Sequence, residues 1–392
     1  MATLKASILG IEFENPFLLA SAPPTASIKS IDKAFEMGWG GAVLKTITPD
    51  NLEMTEASPR YATIKEKGKV ICLQNIELLS HETVQYWVDG IKYLKEKHPA
   101  KVIIASIMAP VEREEWQNLV KTLNETPIDA FELNFSCPHG MPERNIGMAI
   151  GTSAEISILI TSWVKAVAKK PVFVKLTPNV TDITWIGKAV ERAGADGLSA
   201  INTVQSFIGI NLDTLEPNLN IDGFSTYGGL SGEAVKPIGF RCVAQLRQKS
   251  NLPILGMGGI SNWEDAAQYI ALGSDAVQIC TEVMINGYGI INGLKTGLLN
   301  YLETKGFNNI SELKNIAVQK ITSHAKLNKK SHLYPSIDKE KCVSCGKCAK
   351  ICSESEYNAL SLDDNCLSLN KNACAGCSLC SLICPRNAIK MC

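Results

Sequence analysis

Cysteine placement constrains this chain more than any other feature. Four of its fourteen cysteines (Cys72, Cys137, Cys242 and Cys280) lie in the first 330 residues, and ten lie between Cys342 and the C-terminal Cys392. Eight of those ten form two runs of identical spacing, Cys342-x2-Cys345-x2-Cys348-x3-Cys352 and Cys374-x2-Cys377-x2-Cys380-x3-Cys384, the second followed by Pro385. A disulfide framework needs an oxidising compartment. The opening MATLKASILG has neither the apolar core nor the cleavage site of a signal peptide. The expectation is a cytoplasmic chain with reduced thiols, whose tail is a metal centre.

Three close thiolates followed by a fourth, twice over, is the pattern of two-cluster ferredoxins, where the fourth cysteine of each run reaches the other cubane. That assigns Cys342, Cys345, Cys348 and Cys384 to one [4Fe-4S] cluster and Cys352, Cys374, Cys377 and Cys380 to a second. The first run ends in Cys352-Ser353 where the second has Cys-Pro, which removes no ligand. Structural zinc is the competing occupant, but zinc sites rarely repeat this spacing. Cys366 and Cys392 fall outside the pattern. Cubanes pass single electrons, so two in series suggest a wire. No GxGxxG follows a strand, and Gly256-Met257-Gly258-Gly259 is wrongly spaced for a dinucleotide. The external electron source is therefore expected on a separate partner subunit.

The rest of the chain is ordinary globular protein, 45% hydrophobic and 20% charged. Basic and acidic residues number 39 each, a balance that argues against a nucleic-acid partner. No run of 18 apolar residues exists, so no membrane span is expected. Candidate strands are Pro16–Ala22, Gly41–Thr46, Lys101–Ile107, Asp129–Ser136, Pro171–Thr177, Gly197–Thr203, Pro253–Gly259 and Ala276–Thr281. Helical stretches such as Ser153–Lys169, Ile183–Ala193, Ala234–Gln248 and Trp263–Leu272 lie between them. Crossovers that long make the strands parallel, and eight βα units favour a (β/α)8 TIM barrel, an α/β fold. The expected domains are a barrel over 1–303, a linker over 304–334 that opens with a short helical stretch and carries Lys326, Lys329 and Lys330 as a solvated face or a partner-binding patch, and a ferredoxin-like domain over 335–392.

Polar residues gather at the strand ends, where a barrel builds its active site: Lys45-Thr46, Asn134 with Ser136 and Cys137, Lys175, Asn202-Thr203, Gly258-Gly259, and Cys280-Thr281. Backbone N–H groups at Gly232, Gly258 and Gly259 and the Thr281 hydroxyl suit a phosphate. Lys45 and Lys175 suit a reduced flavin ring, so FMN is expected. Cys137 is either a buried structural thiol or a general acid/base, since a thiol with pKa near ~8.5 can give and regain a proton at neutral pH. His139 reads as a loop residue. Asn75, Asn134, Asn202 and Thr203 offer the paired donors and acceptors that a pyrimidine edge, or a flavin edge, requires.

At these residues the chain resembles the dihydroorotate dehydrogenase superfamily, and within it the FMN and iron–sulfur portion of dihydropyrimidine dehydrogenases, which in bacteria is a separate chain. The matching stretches are LASAPPT (19–25), GWGGAVLKT (38–46), QNIEL (74–78), ELNFSCPHGM (132–141), KLTPNVTDI (175–183), INTV (201–204), TYGGLSG (226–232) and GMGGI (256–260), together with the tail cysteines. The resemblance implies Cys137 as catalytic acid/base, and Asn75, Asn134, Ser136, Asn202 and Thr203 on the pyrimidine. It implies Ser21, Lys45, Thr46, Lys175, Gly232, Met257, Gly258, Gly259, Cys280 and Thr281 on FMN, with Glu77 near the flavin. It also implies reversible reduction of the 5,6 double bond of uracil or thymine, with electrons from NAD(P)H entering through a partner FAD subunit and the clusters, hydride passing from FMN N5 to C6 and the proton from Cys137 to C5. Pro142 and Asn145 replace glycines of the animal enzymes in the loop that carries Cys137, and proline removes φ freedom there. Two alternatives remain: dihydroorotate oxidation or another FMN-dependent ene reaction on the same barrel, and an electron-transfer subunit with a vestigial barrel.

Anaerobically prepared chain is expected to carry about eight iron and about eight acid-labile sulfides, and Cys345→Ser about half as many. Elemental and sulfide analysis checks this; two zinc ions without sulfide would overturn it.

Overall fold

Strands buried on both faces and separated by amphipathic helices can satisfy their backbone and their apolar surface only in a parallel sheet covered by helices. In the computed structural model, which describes residues 2–52, 55–135, 148–364 and 366–392, those strands close on themselves. The strands in chain order are β1 (Ala6–Ile8), β2 (Ile11–Phe13), β3 (Phe17–Leu19), β4 (Gly41–Val43), β5 (Tyr61–Glu66), β6 (Lys69–Asn75), β7 (Val102–Ile107), β8 (Ala130–Asn134), β9 (Val172–Leu176), β10 (Gly197–Ala200), β11 (Val204–Ser206), β12 (Gly228–Ser231), β13 (Ile254–Met257) and β14 (Ala276–Ile279). The closed parallel barrel runs β10-β13-β14-β3-β4-β7-β8-β9. Its eight strands are the eight expected from the sequence, each shorter by between one residue (β7) and four (β3).

Inside the barrel, Leu18, Val43, Val102, Ile104, Ala130, Phe173, Leu255 and Ala276 form an apolar plug near the N-terminal ends of the strands, and Ile8 and Phe13 of the antiparallel β1–β2 hairpin pack onto it. The outer layer is helical. Helices Ile28–Glu36, Val84–Lys97, Arg113–Asn124, Ala154–Lys165 and Ile183–Arg192 each bury one stripe against the strands. Ser27, Thr83, Ser153 and Asp182 accept a backbone N–H at the starts of four of them.

A second sheet, in the order β11-β12-β6-β5, was not among the expected elements. Its β5–β6 hairpin turns through Lys67 and Gly68, with φ of 48° and 83°. Two positive φ values make the turn whose twist matches its strands. Lys-Gly is a weak sequence signal for that turn, and β5 is largely exposed, so no apolar alternation marks it.

The barrel unit runs to Ile321 rather than to 303. The helix Ile290–Lys305 ends in left-handed Gly306. The chain then turns back, burying Ile310, Leu313 and Val318 and donating from the backbone N–H groups of Asn315 and Ala317 to the carbonyls of Ile270 and Ala271. Residues 304–321, expected in a linker, therefore belong to the barrel, because their few apolar side chains find a surface to cover. Lys326, Lys329 and Lys330 are exposed.

The unit Thr322–Cys392 is built on an internal repeat. Strands β15 (Pro335–Ile337) and β18 (Ile389–Met391) pair antiparallel, as do β16 (Leu360–Asp363) and β17 (Cys366–Leu369). Each cysteine run is left-handed at its third and fifth residues: Ser344 and Gly346 in the first, Gly376 and Ser378 in the second. No helix among the described residues is long and apolar enough to cross a membrane.

Phe173→Ala is expected to destabilise the barrel by about 3–5 kcal/mol, the cost of emptying a fully buried aromatic site. All six tryptophans lie between Trp39 and Trp263, so denaturant unfolding followed by their fluorescence reads the barrel unit alone.

Candidate functional site

Strand alternation decides which side chains reach the C-terminal mouth of the barrel. Val43 is followed inward by Lys45, Ala130 by Glu132 and Asn134, Phe173 by Lys175, and Ala276 by Gln278 and Cys280. The interior thus changes from apolar to polar about halfway up. Register sets Asn134, Lys175 and Ser199 side by side on β8, β9 and β10.

One cavity opens over this polar layer. It is lined by every expected site residue within the described part of the barrel: Ser21, Lys45, Thr46, Asn75, Asn134, Lys175, Asn202, Thr203, Gly232, Met257, Gly258, Gly259, Cys280 and Thr281, with Glu77 beside them. Ser136, Cys137, His139, Pro142 and Asn145 lie outside the described residues. Lys45 and Lys175 are each only 5% exposed.

The lining groups hold one another. Asn134 Nδ2 donates to Thr46 Oγ1 at 3.0 Å, and Asn202 Nδ2 donates to Asn134 Oδ1 at 3.2 Å. The Thr203 backbone N–H donates to Asn202 Oδ1 at 2.8 Å, and Asn75 Nδ2 donates to the Gly229 carbonyl at 2.9 Å. The Thr46 hydroxyl also meets Ser21 and Ser106, at 3.1 and 2.9 Å. Amides tied this way present fixed donors and acceptors, as recognition of a planar ring requires.

Both lysines are matched by carboxylates. Lys45 Nζ donates to Glu77 Oε1 at 3.0 Å, and Lys175 Nζ stands 3.6 Å from Glu132 Oε1. Burial works against the Glu77 carboxylate, but Lys45, the Tyr61 hydroxyl and Arg60 outweigh it and hold its carboxyl below the usual range. Burial and the Glu77 charge push the Tyr61 phenol well up, which keeps it a donor to Glu77. Burial pushes the Cys280 thiol up to about 11, against the pull of Lys175 and Lys45.

The other end of the cavity is made of glycine. Gly232, Gly258 and Gly259 have φ of 92°, 122° and 76°, the left-handed region that favours glycine. A Cβ on Gly259 would come within 2.8 Å of the Gly232 carbonyl and 2.9 Å of the Lys236 backbone nitrogen. The close approach of these two loops leaves a cradle of backbone ahead of the helix Lys236–Lys249. Tyr269 Oη fixes it from behind by donating to the carbonyls of Met257 and Gly258, at 3.1 and 2.7 Å. A phosphate at one end, a polar ring between two lysines at the other: these residues fit FMN.

Two further cavities lie in the unit Thr322–Cys392. Cys342, Cys345, Cys348 and Cys384 line one, and Cys352, Cys374, Cys377 and Cys380 line the other. Backbone N–H groups of Ala359, Gly376 and Ala388 donate to the sulfurs of Cys352, Cys374 and Cys384, at 3.3, 3.4 and 3.3 Å. Such bonds help set the potential of a bound cluster. Cys366 and Cys392 are exposed and line neither cavity.

Among the groups at the site that sequence reading does not single out are Tyr61, Gln278 and Glu132, with the carboxylates Glu233 and Glu282 on the cavity wall. Tyr61 comes from the unexpected hairpin. Gln278 and Glu132 sit one layer below residues that were singled out; a glutamate at an inward position of an otherwise apolar strand was the available signal.

Comparison with known proteins agrees with this architecture. The family described as dihydroorotate dehydrogenase matches residues 3–302, and the 4Fe-4S dicluster domain matches residues 335–391. The chain is 36% identical over 361 residues to NAD-dependent dihydropyrimidine dehydrogenase subunit PreA of Escherichia coli K12, covering 91% of this chain and 87% of that one. It is 36% identical over 339 residues to the chloroplastic dihydropyrimidine dehydrogenase (NADP(+)) of Arabidopsis thaliana, covering 83% and 80%. It is 35% identical over 316 residues to the catalytic subunit of dihydroorotate dehydrogenase B (NAD(+)) of Pyrococcus abyssi, covering 81% and 99%.

With its thiol pushed up to about 11, Cys280 is expected to resist iodoacetamide at pH 8 and to label only as the pH approaches that value. Peptide mass spectrometry of the alkylated chain checks this; labelling at pH 8 as fast as a free thiol would contradict it.

Proposed function

Because this chain belongs to the dihydroorotate dehydrogenase family and carries a 4Fe-4S dicluster domain, we propose that it is the FMN and iron–sulfur subunit of a dihydropyrimidine dehydrogenase that reversibly reduces the 5,6 double bond of uracil or thymine. The observation that carries this reading is that both lysines of the cavity already face carboxylates. These, Lys45 and Lys175, are the basic side chains among its described lining residues. Orotate would bring a carboxylate of its own and call for a further cation. A neutral ring of alternating N–H and C=O groups calls instead for amides and hydroxyls, and Asn75, Asn134, Asn202 and Thr203 are those groups.

Bound FMN supplies two-electron exchange with carbon and one-electron exchange with the clusters. The chain's own residues do the rest. Backbone groups of Gly232, Gly258 and Gly259, with the Thr281 hydroxyl, hold the phosphate. Ser21, Thr46, Met257 and Cys280 border the ring system, and Lys45 and Lys175 offset negative charge on it. The asparagines and Thr203, with Ser136, fix the pyrimidine so that its C6 faces the flavin, which saves the entropy of alignment in the reaction itself. Cys137 gives a proton to pyrimidine C5 and takes it back in the reverse direction. Cys342, Cys345, Cys348 and Cys384 hold one [4Fe-4S] cluster, and Cys352, Cys374, Cys377 and Cys380 hold the other. NAD(P)H and FAD belong to a partner subunit; the existence of such a partner is supported by the names of the Escherichia coli and Pyrococcus relatives, which are subunits of NAD-linked enzymes.

The test is a single turnover under strict anaerobiosis, with the purified chain reduced chemically and mixed with uracil, thymine or orotate. Flavin reoxidation with formation of dihydrouracil or dihydrothymine is the expected outcome. Reoxidation by orotate alone would move the chain to the dihydroorotate branch. Cys137→Ala is expected to retain FMN and to lose about 10²–10⁴-fold in the rate of that turnover; an unchanged rate would remove the thiol from the chemistry.

A further inference from the structure

Glu132 is the one fully buried glutamate among the described residues of the barrel interior. It sits on β8 beneath the cavity floor and does not line the cavity. Its Oε2 accepts from Gln278 Nε2 at 2.7 Å. Its Oε1 has no hydrogen-bond partner among the described residues and lies 3.6 Å from Lys175 Nζ, beyond hydrogen-bond distance. The far oxygen of the Gln278 amide is likewise without a partner.

A carboxylate placed there is costly. Removing a charge from water carries a penalty that attraction to a partner repays only when the remaining lone pairs are also satisfied. The fold would be as well served by an apolar side chain at this position, as it is one layer lower at Ala130 and Phe173. The carboxylate is aimed at a lysine that does line the cavity. Lys175 therefore faces the cavity with a negative charge fixed behind it, in a layer that solvent does not reach and salt does not screen.

We infer that Glu132 is a positioning residue, which holds the Lys175 ammonium at the cavity floor and sets how much positive charge the flavin ring experiences. This rests on FMN being the occupant of the cavity. Glu77 does the corresponding work for Lys45 from the side, at 3.0 Å. The two pairs differ in kind: Glu77 borders the cavity, whereas Glu132 lies behind it and reaches it through Lys175 and Gln278. Neutralising Glu132 takes one negative charge from beside Lys175, which favours negative charge on the ring. The flavin then becomes easier to reduce and binds sulfite more tightly, because both changes place negative charge on the ring.

The experiment compares full-length wild type, Glu132→Gln and Glu132→Asp, each anaerobic and loaded with FMN. Flavin content, sulfite dissociation constant and flavin midpoint potential are measured without any pyrimidine present. For Glu132→Gln we expect sulfite affinity to rise about tenfold, the order expected for loss of one nearby charge. The same factor in the two-electron equilibrium raises the potential by about 30 mV. Glu132→Asp keeps the charge but withdraws it by one methylene, so it falls between wild type and Glu132→Gln. A purely structural role would lower thermal stability in both variants and leave potential and sulfite affinity at wild-type values, and that result overturns the inference. If Glu132→Gln does not fold, Glu132→Asp alone decides: values equal to wild type overturn it. Wild type that binds no FMN would instead overturn the flavin reading itself, before Glu132 is tested.

Discussion

Everything distinctive about this protein depends on a change of chemistry partway along eight strands. In the lower barrel the inward positions are apolar and close-packed, which stabilises the closed sheet. In the layers above they are Glu132, Asn134, Lys175 and Gln278, held in place by the same backbone ladder, with Lys45 just past the end of β4. Burying that many polar and charged groups is unfavourable by itself. It persists because each group is fixed by neighbours and because the barrel below is large enough to offset the cost. The cavity therefore starts with rigid, pre-aimed groups rather than with a pocket that must organise around its contents.

The second unit solves a different problem. Residues Thr322–Cys392 bury a small cluster around Cys348, Leu360, Cys380 and Ile389, two of whose members are proposed cluster ligands. A core of that size gives little stability, and small domains commonly rely on metal or disulfide staples. The proposed cubanes would then act as structure as well as wire. Gly376, one of the left-handed residues repeated in both runs, fits that role, since it donates its backbone N–H to the Cys374 sulfur.

Periodicity and spacing carried the reading of the sequence a long way. Eight apolar runs separated by amphipathic helices leave few alternatives to a barrel, and residues at strand ends could be named because all βα loops open on one face. The cysteine spacing grouped the eight thiolates as they line their two cavities. The β5–β6 hairpin escaped because its turn is Lys67-Gly68 rather than a strong turn dipeptide and its first strand faces solvent. The end of the barrel was set too early because a polar tail with a few apolar residues, Ile310, Leu313 and Val318, reads as a linker until a surface is available to cover them.

The sequence by itself determined the fold class, the family, the two cysteine sets and the polar strand-end residues around the cavity, because these depend on local periodicity and on residue type at fixed spacing. Tertiary structure alone decided which charges meet. Lys45 and Glu77 come together from separate loops, Tyr61 reaches Glu77 from a hairpin with no strong signal, and Glu132, Lys175 and Gln278 converge from three strands of a closed barrel. Pairing across a closed sheet depends on register and on the circumference of the barrel, and neither is written in any short stretch of chain.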